Sequence, residues 1–333
     1  MIKIAVDAMG GDNAPKAMVE GVNQAIKNHE DLYINLYGKE EEINKYLVKS
    51  DRVNVINADH KLDMGEHDPI KIIRQDKELS MVKAFQAVHD KECAGAVTAG
   101  PTQGAVVAAH LIVRRIKGMK RVALCPQLPL VFGKSRMLLD VGANIEVRPE
   151  HIVQHAEFAT IFCRETRGVE KPLVGLINNG VEEGKGREQE QVVYELLKND
   201  PNVNFKGNVE PFDVLTTDCD ILVTDGFSGN LVTKTLEGTA KSVGRLLKDE
   251  IKSSLGGKIG YLFMRKNLKH FKDTLNSEEV GGATIFGVDG IIVKAHGNSS
   301  AYAFYKAIEL CMRGIKGNVI EQVKEKLVVS EDE

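Results

Sequence analysis

Lys185 lies between Gly184 and Gly186 in the stretch NNGVEEGKGRE, where an apolar run gives way to an amphipathic pattern. A lysine on bare backbone at such a junction can hold a phosphate or polarise a carbonyl oxygen. A solvated surface lysine is the other reading. His296, in KAHGNSS, follows an apolar run and precedes small polar residues. That placement suits a phosphate contact or a proton donor, and equally a structural histidine. In DILVTDGFSGN, the apolar run Ile221 to Thr224 ends in Asp225, Gly226, Phe227, Ser228, Gly229 and Asn230. Gly226 and Gly229 would let backbone approach a ligand, and Asn230 stands where a helix N-cap is expected. The free N–H groups of the following helix would then face an anion. An ordinary strand-to-helix turn uses the same residues.

These residues need elements to position them. Short β-branched runs ending in Gly, Asn, Asp or Ser recur, and most lead into a helical pattern: IKIAVDAMGGDNAP, AGAVTAGPTQGA, MLLDVGANIEVRPE, PLVGLINNGVEEGKG, ILVTDGFSGN and GIIVKAHGNSS. This alternation predicts an α/β fold with a mostly parallel sheet covered on both faces. The polar loops would gather at the carboxyl edge of the strands, where such sheets bind ligands. Val288-Asp289-Gly290 lies between two apolar runs and predicts one antiparallel pair. No low-complexity linker divides residues 1–333, so one large domain is expected, bilobed around a cleft.

Composition narrows the function. Net charge is −3, which excludes a nucleic-acid binder by overall charge. Five scattered cysteines without a C-x-x-C pair argue against a disulfide frame or zinc knuckle and point to a reducing compartment. The start of the chain lacks a signal-peptide pattern and no apolar run reaches membrane-spanning length, so a cytoplasmic location is expected. His151 and His155 have helical spacing but no Glu in the H-E-x-x-H place, and metal is not expected. Neither G-x-G-x-x-G after a strand nor a P-loop is present. No cysteine or serine lies in a recognisable nucleophile motif.

Residues 252–272 carry six Lys or Arg and no acid, with Leu255, Ile259, Leu262, Phe263 and Met264 among large apolar side chains. Gly256, Gly257 and Gly260 are expected to break any long helix there. Residues 251–275 thus read as a basic apolar helical hairpin. It would lie buried at a dimer interface or core, or rest on anionic lipid or an acidic protein.

The blocks VDAMGGDNAP, LLDVGAN, NNGVEEGKG, FKGNVE, TDGFSGN and GVDGIIVKAHGNSS, in this order over nearly the whole chain, resemble the bacterial phosphate acyltransferases of phospholipid synthesis, the PlsX family. The second loop departs from the family's usual S-A-G-N-T-G-A: it reads TAGPTQGA, with Pro101 in the Asn place, which ranks Lys185 and Asn230 ahead of Thr102. The resemblance implies a three-layer α/β/α sandwich with a mixed, mostly parallel sheet, similar to isocitrate and isopropylmalate dehydrogenases, in a homodimer. It implies transfer of a long acyl chain from acyl carrier protein to inorganic phosphate, without a cofactor. The acyl phosphate would pass to a membrane glycerol-3-phosphate acyltransferase, with this protein peripheral on the inner face of the membrane.

Under that reading Gly10, Gly11, Gly226 and Gly229 present backbone N–H groups to phosphate or the pantetheine arm. Lys185 and Asn230 hold phosphate or the oxyanion. His296 and Ser300 add phosphate contacts, and Asp7, Asp140, Asn144 and Asp225 orient these groups. Leu262, Phe263, Arg265 and Lys266 would touch membrane or carrier protein. The rivals are a nicotinamide-dependent oxidative decarboxylase on the same fold, with Asp7, Asp140 and Asp225 as metal carboxylates, and a phosphotransacylase using coenzyme A. A membrane-surface scaffold is the non-enzyme rival.

Overall fold

The structure, a computed structural model, describes residues 1–128, 135–274 and 281–331. The strands are β1 Ile2–Asp7, β2 Leu32–Gly38, β3 Val53–Asn57, β4 Gly95–Thr98, β5 Ala123–Leu128 and β6 Arg136–Leu139. They continue with β7 Leu173–Ile177, β8 Asn204–Val209, β9 Ile221–Val223, β10 Ala283–Phe286 and β11 Ile291–Lys294. The helices are α1 Lys16–Asn28, α2 Glu40–Ile43, α3 Pro69–Gln75, α4 Ser80–His89, α5 Thr102–Ala108 and α6 Pro149–Arg167. After them come α7 Glu188–Asn199, α8 Gly226–Ser253, α9 Leu255–Thr274, α10 Ala301–Lys316 and α11 Val319–Glu331.

The strands form one 11-stranded sheet in the order β3-β2-β1-β4-β11-β10-β5-β6-β9-β7-β8. Its alternation of side chains follows the period of two. In β1, Ile4 and Val6 join one core layer, with α1, α6 and α10, while Ala5 joins the other, with α4 and α5. Phe286 of β10 stacks on Phe158 of α6 at 4.5 Å between centroids and meets Phe162 at 5.0 Å. Helices on both faces of a mostly parallel sheet make the expected α/β/α sandwich.

Strand direction departs from the expectation. β10 is antiparallel to β11, as the sequence predicts, but also to β5, and β5 is antiparallel to β6. β1, β2, β3, β4, β11 and β5 therefore run one way, and β6, β9, β7 and β8 the other. The carboxyl ends of β1, β4 and β11 and those of β6, β7 and β9 lie on opposite edges. The single carboxyl edge expected from the loop pattern does not exist, because strand direction is set by long-range pairing and leaves no local mark.

α8 starts with Asp225, whose Oδ1 accepts from the Ser228 N–H at 2.7 Å. Asn230 is thus inside the helix and not its cap. Val232 and Leu236 pack on Leu138, Val141 and Leu222, while further along Val243, Leu246 and Leu247 are exposed. Ser254 joins α8 to α9, its Oγ accepting from the Gly257 N–H at 2.9 Å. α9 runs straight through Gly256, Gly257 and Gly260, against the expected break. Each glycine costs a helix about 1 kcal/mol, which weakens a helix without ending it among Leu, Lys, Met and Arg neighbours. Residues 251–253 belong to α8, and residue 275 lies outside the described residues.

Candidate functional site

Two groups of loops carry the polar residues. The first gathers at the carboxyl ends of β1, β4 and β11. Asp7 is 1% exposed and accepts from Ser80 Oγ and Thr98 Oγ1, both at 2.7 Å, and from the N–H groups of Met9 and Gly10. Burial pushes its carboxyl above the usual range, against the pull of these donors. A Cβ on Gly10 would sit 2.5 Å from Asp7 Oδ2 and 2.7 Å from the Gly100 nitrogen. Gly10 therefore makes room for the neighbouring loop, not for a ligand. Gly11 has φ +102°, open to glycine at little cost. The Asp12 N–H donates to the Gly297 carbonyl at 2.8 Å, and Asn13 Nδ2 donates to the carbonyls of Asn298 and Ser299 at 3.1 Å. The loops 10–14 and 295–300 are stitched together by these bonds.

A residue that sequence reasoning passed over stands here. Lys294 ends β11, in register with Thr98 of β4. Burial, aided by the Lys234 charge, pulls its ammonium down to about 8, against Glu237 and Asp12. The sequence marks it only as a lysine ending the apolar run IIVK, and the structure adds that buried Ala295 follows it. His296, two residues on, is held below the usual histidine range by burial and by the Lys294 charge, so its ring is neutral at pH 7. Lys234 and Glu237 of α8 act electrostatically on both groups. Ser300 caps α10, its Oγ accepting from the Ala303 N–H at 3.2 Å. Ser299 Oγ donates to the His296 carbonyl at 2.7 Å.

The second group lies at the carboxyl ends of β6, β7 and β9. Buried Asp140 accepts from the N–H groups of Leu124, Ala143 and Asn144 and from Asn144 Nδ2. Asn144 Nδ2 also donates to the Val122 carbonyl at 2.6 Å. Cβ atoms on Gly226 and Gly229 would fall 2.1 Å from the Asn144 carbonyl oxygen and 2.0 Å from that of Asp140. These glycines seat α8 on the 140–144 loop. They do not open backbone to a ligand as the sequence suggested. Asn230 is exposed one step along, its carboxamide carbon 3.6 Å from where a Cβ on Gly142 would be.

Arg187 Nη2 donates to Asp225 Oδ2 at 2.6 Å and its Nε to Glu190 Oε2 at 2.9 Å, which holds the guanidinium still more firmly protonated. The 178–187 loop is shaped by Asn178, whose Nδ2 donates to the Lys185 carbonyl and to Asn208 Oδ1, both at 3.1 Å. The Lys185 side chain is 51% exposed, with its ammonium 4.0 Å from Glu182.

The structure groups His296 with Lys294 and, through α8, with Lys234, one turn beyond Asn230. Lys185 stands on the other loop cluster, linked to α8 through Arg187 and Asp225. Two surface cavities are described, of about 210 Å³ beside Met9 and Ala14 and about 580 Å³ along residues 110–120. Neither is lined by Lys185, Asn230 or His296. Asp140 and Asp225 share the second group, Asp140 Oδ2 lying 2.7 Å from where a Cβ on Gly226 would be, while Asp7 belongs to the first, and among the described residues no three acidic, His or Cys side chains gather as a metal site. His151 and His155 are both buried within α6, where His151 Nδ1 accepts from the Arg148 N–H. Leu262 and Phe263 are 71% and 83% exposed on α9, with Arg265 and Lys266 beside them, also exposed.

Over residues 2–322 the sequence matches the fatty acid synthesis protein family. A phosphate acyltransferase of Acholeplasma laidlawii is 44% identical over 326 residues, covering 97% of this chain and 98% of that protein. A phosphate acyltransferase of Staphylococcus aureus is 42% identical over 325 residues, 98% of each chain. The chain belongs to the phosphate acyltransferase family. It is an enzyme of that family, and the family supports acyl transfer with phosphate. Among solved structures, a branched-chain phosphotransacylase from Enterococcus faecalis superposes with TM-score 0.60 at 16% identity, covering 95% of this chain and 99% of that one. A 4-hydroxythreonine-4-phosphate dehydrogenase from Klebsiella pneumoniae does so with TM-score 0.53 at 11% identity, covering 93% and 98%. At these identities the likeness is one of fold.

Proposed function

We propose that this phosphate acyltransferase joins inorganic phosphate to a long acyl chain carried on acyl carrier protein, and that the acyl phosphate feeds glycerol-3-phosphate acylation at the membrane. The observation that carries the reading is the half-buried cation of Lys294, beside neutral His296, the Lys234–Glu237 pair of α8 and the loop Gly10 to Pro15. A half-buried lysine with no carboxylate in hydrogen-bond contact among the described residues is a poor structural device and a good anion holder.

Phosphate is already a nucleophile at neutral pH, so the protein has to position it. One phosphate oxygen attacks the thioester carbon, a C–O bond forms, and the carbonyl oxygen takes up charge. Collapse of the tetrahedral intermediate breaks the C–S bond and expels the pantetheine thiolate, which takes a proton from water. Orientation can supply up to roughly 7–11 kcal/mol in ideal cases, and one oxyanion donor on the order of 3 kcal/mol. Lys294 and His296 hold phosphate. Asn230, one turn before Lys234 on α8, serves the oxyanion or the phosphate, and Lys185 acts from the second loop group. Asp7, Asp140, Asn144 and Asp225 keep the loops in shape, and Ser300 fixes the start of α10.

The exposed apolar and basic surface of α9 supports peripheral contact with anionic membrane, and α8 with α9 supports a homodimer. Among the described residues no helix is long and apolar enough to cross a membrane. The decarboxylase reading loses support because Asp7 is engaged with Ser80 and Thr98 in the first loop group, away from Asp140 and Asp225 in the second.

Purified protein mixed with palmitoyl acyl carrier protein and inorganic phosphate should release acyl phosphate and free carrier thiol in equal amounts. Absence of both would overturn the reading. Turnover of acyl-coenzyme A alone would favour the phosphotransacylase alternative.

A further inference from the structure

The first turns of α8 expose Phe227, Asn230, Leu231 and Lys234, whose spacing i, i+3, i+4, i+7 puts them on one face of the helix. The other side, with Gly226, Gly229 and Thr233 buried, is the one seated on the 140–144 loop. Phe227 and Leu231 are each 53% exposed, and neither joins a hydrophobic cluster of the described residues. Ile145, 73% exposed, follows Asn144, whose carbonyl oxygen lies 2.1 Å from where a Cβ on Gly226 would be. Three apolar side chains thus flank the start of the helix beside Asn230. Beyond Lys234 the same face turns polar, with Glu237, Gly238, Lys241 and Arg245. Val243 and Leu247 continue the side of Val232 and Leu236 instead, so the stripe is separate from the exposed apolar surface further along α8.

We infer that Leu231, Phe227 and Ile145 receive the aliphatic chain of the acyl donor and set a preference for long chains, an inference that rests on the reaction proposed above. The thioester carbonyl has to lie between the phosphate and the oxyanion donor. Lys234 acts electrostatically on Lys294 and His296, which marks the phosphate end of the exposed face. Asn230 stands one turn back towards the helix start. From the carbonyl carbon, a chain running forward along α8 meets charged residues. A chain running back meets Leu231, then Phe227, then Ile145. Helical rise puts Phe227 about 10 Å before Lys234. A short acyl group therefore ends near Leu231, and a long one covers all three side chains. Covering exposed phenyl and branched aliphatic groups with methylenes removes apolar area from water on both partners, and the gain grows with chain length.

The chain contains no tryptophan, so Phe227→Trp places a single fluorescent reporter on the stripe. Palmitoyl-pantetheine should move its emission to shorter wavelength in a saturable way, and butyryl-pantetheine should not. Adding Leu231→Ser to that variant should weaken the response. In turnover, the double variant Phe227→Ser with Leu231→Ser, its fold verified by thermal unfolding, should lose selectivity. Its kcat/KM for palmitoyl acyl carrier protein, relative to that for butyryl acyl carrier protein, should fall about tenfold or more, through the KM of the long donor. An unchanged chain-length ratio in the folded double variant would overturn the inference. So would an emission shift that follows protein concentration instead of ligand, which would give the face to a second copy of the chain. If palmitoyl-pantetheine moved the emission but the wild type made no acyl phosphate from either carrier donor, the function proposed above would fail and the acyl-chain stripe would stand.

Discussion

Lys294 concentrates the residue-scale argument. Its ammonium titrates near 8 in the folded protein, below the unfolded value of about 10.4. The unfolded chain binds more protons between those values, so this group makes the fold more stable as pH rises from about 8 towards 10.4. Below 8 the folded protein carries the full burden of a half-buried charge. Lys294→Met should therefore raise the thermal midpoint at pH 7 while increasing the KM for phosphate about tenfold or more. The pH profile adds a sharper readout. Phosphate affinity of the wild type should fall as pH rises through 8, where the cation is lost, and Lys294→Arg should flatten that fall because guanidinium stays charged. A wild-type phosphate KM constant from pH 7 to 9 would remove Lys294 from the phosphate site. Lys185→Ala gives a second test. Its exposed side chain leaves stability nearly unchanged, so loss of acyl phosphate formation in a folded variant would assign it to the chemistry. Full activity would leave it a surface lysine.

At the scale of elements, the seat of α8 is the decisive contact. Gly229→Ala drives a methyl to 2.0 Å from the Asp140 carbonyl oxygen, a backbone atom that cannot swing away. Overpacking of this kind costs about 1–3 kcal/mol, and the displaced loop would carry Asn144 and Asn230 with it. Gly244→Ala is the control: nothing lies within 4 Å of its Cβ position, and the helix should gain up to about 1 kcal/mol. Denaturant midpoints of the two variants should move in opposite directions.

This junction also marks the limit of sequence reading. The strand-to-helix alternation, the β10–β11 pair and the glycine-bearing loops were legible because apolar runs and turn residues are local signals. What Gly226 and Gly229 face was not, since the carbonyls of Asn144 and Asp140 come from a distant part of the chain. The reversal between β5 and β6 was hidden for the same reason. Lys294 was missed because a charged residue ending a strand reads as an ordinary boundary until its neighbours are known. Residues 256–260 were misread for a different reason: three glycines weigh against a helix, but not enough to end one.

For the whole molecule, the exposed length of α8 and α9 is the outstanding feature. Leu262→Asp with Phe263→Asp places two charges on adjacent, strongly exposed apolar side chains of α9. Co-flotation with anionic vesicles should drop severalfold, and added salt should weaken wild-type flotation, as expected for joint apolar and electrostatic attachment. Turnover in solution should persist. Unchanged flotation would detach this surface from the membrane proposal.

The middle of the sheet has one more consequence. β4 and β5 are neighbours along the chain, yet β11 and β10, residues 283–294, lie between them in the sheet. Until those last two strands leave the ribosome, the two halves of the protein have no common seam, and the flanks of β4 and β5 stay open to pairing with other chains. A nascent chain halted before residue 281 should bind a trigger-type chaperone persistently, and release should coincide with arrival of the final strands. Completion of this enzyme is thus a closing act, performed by the segment synthesised nearly last.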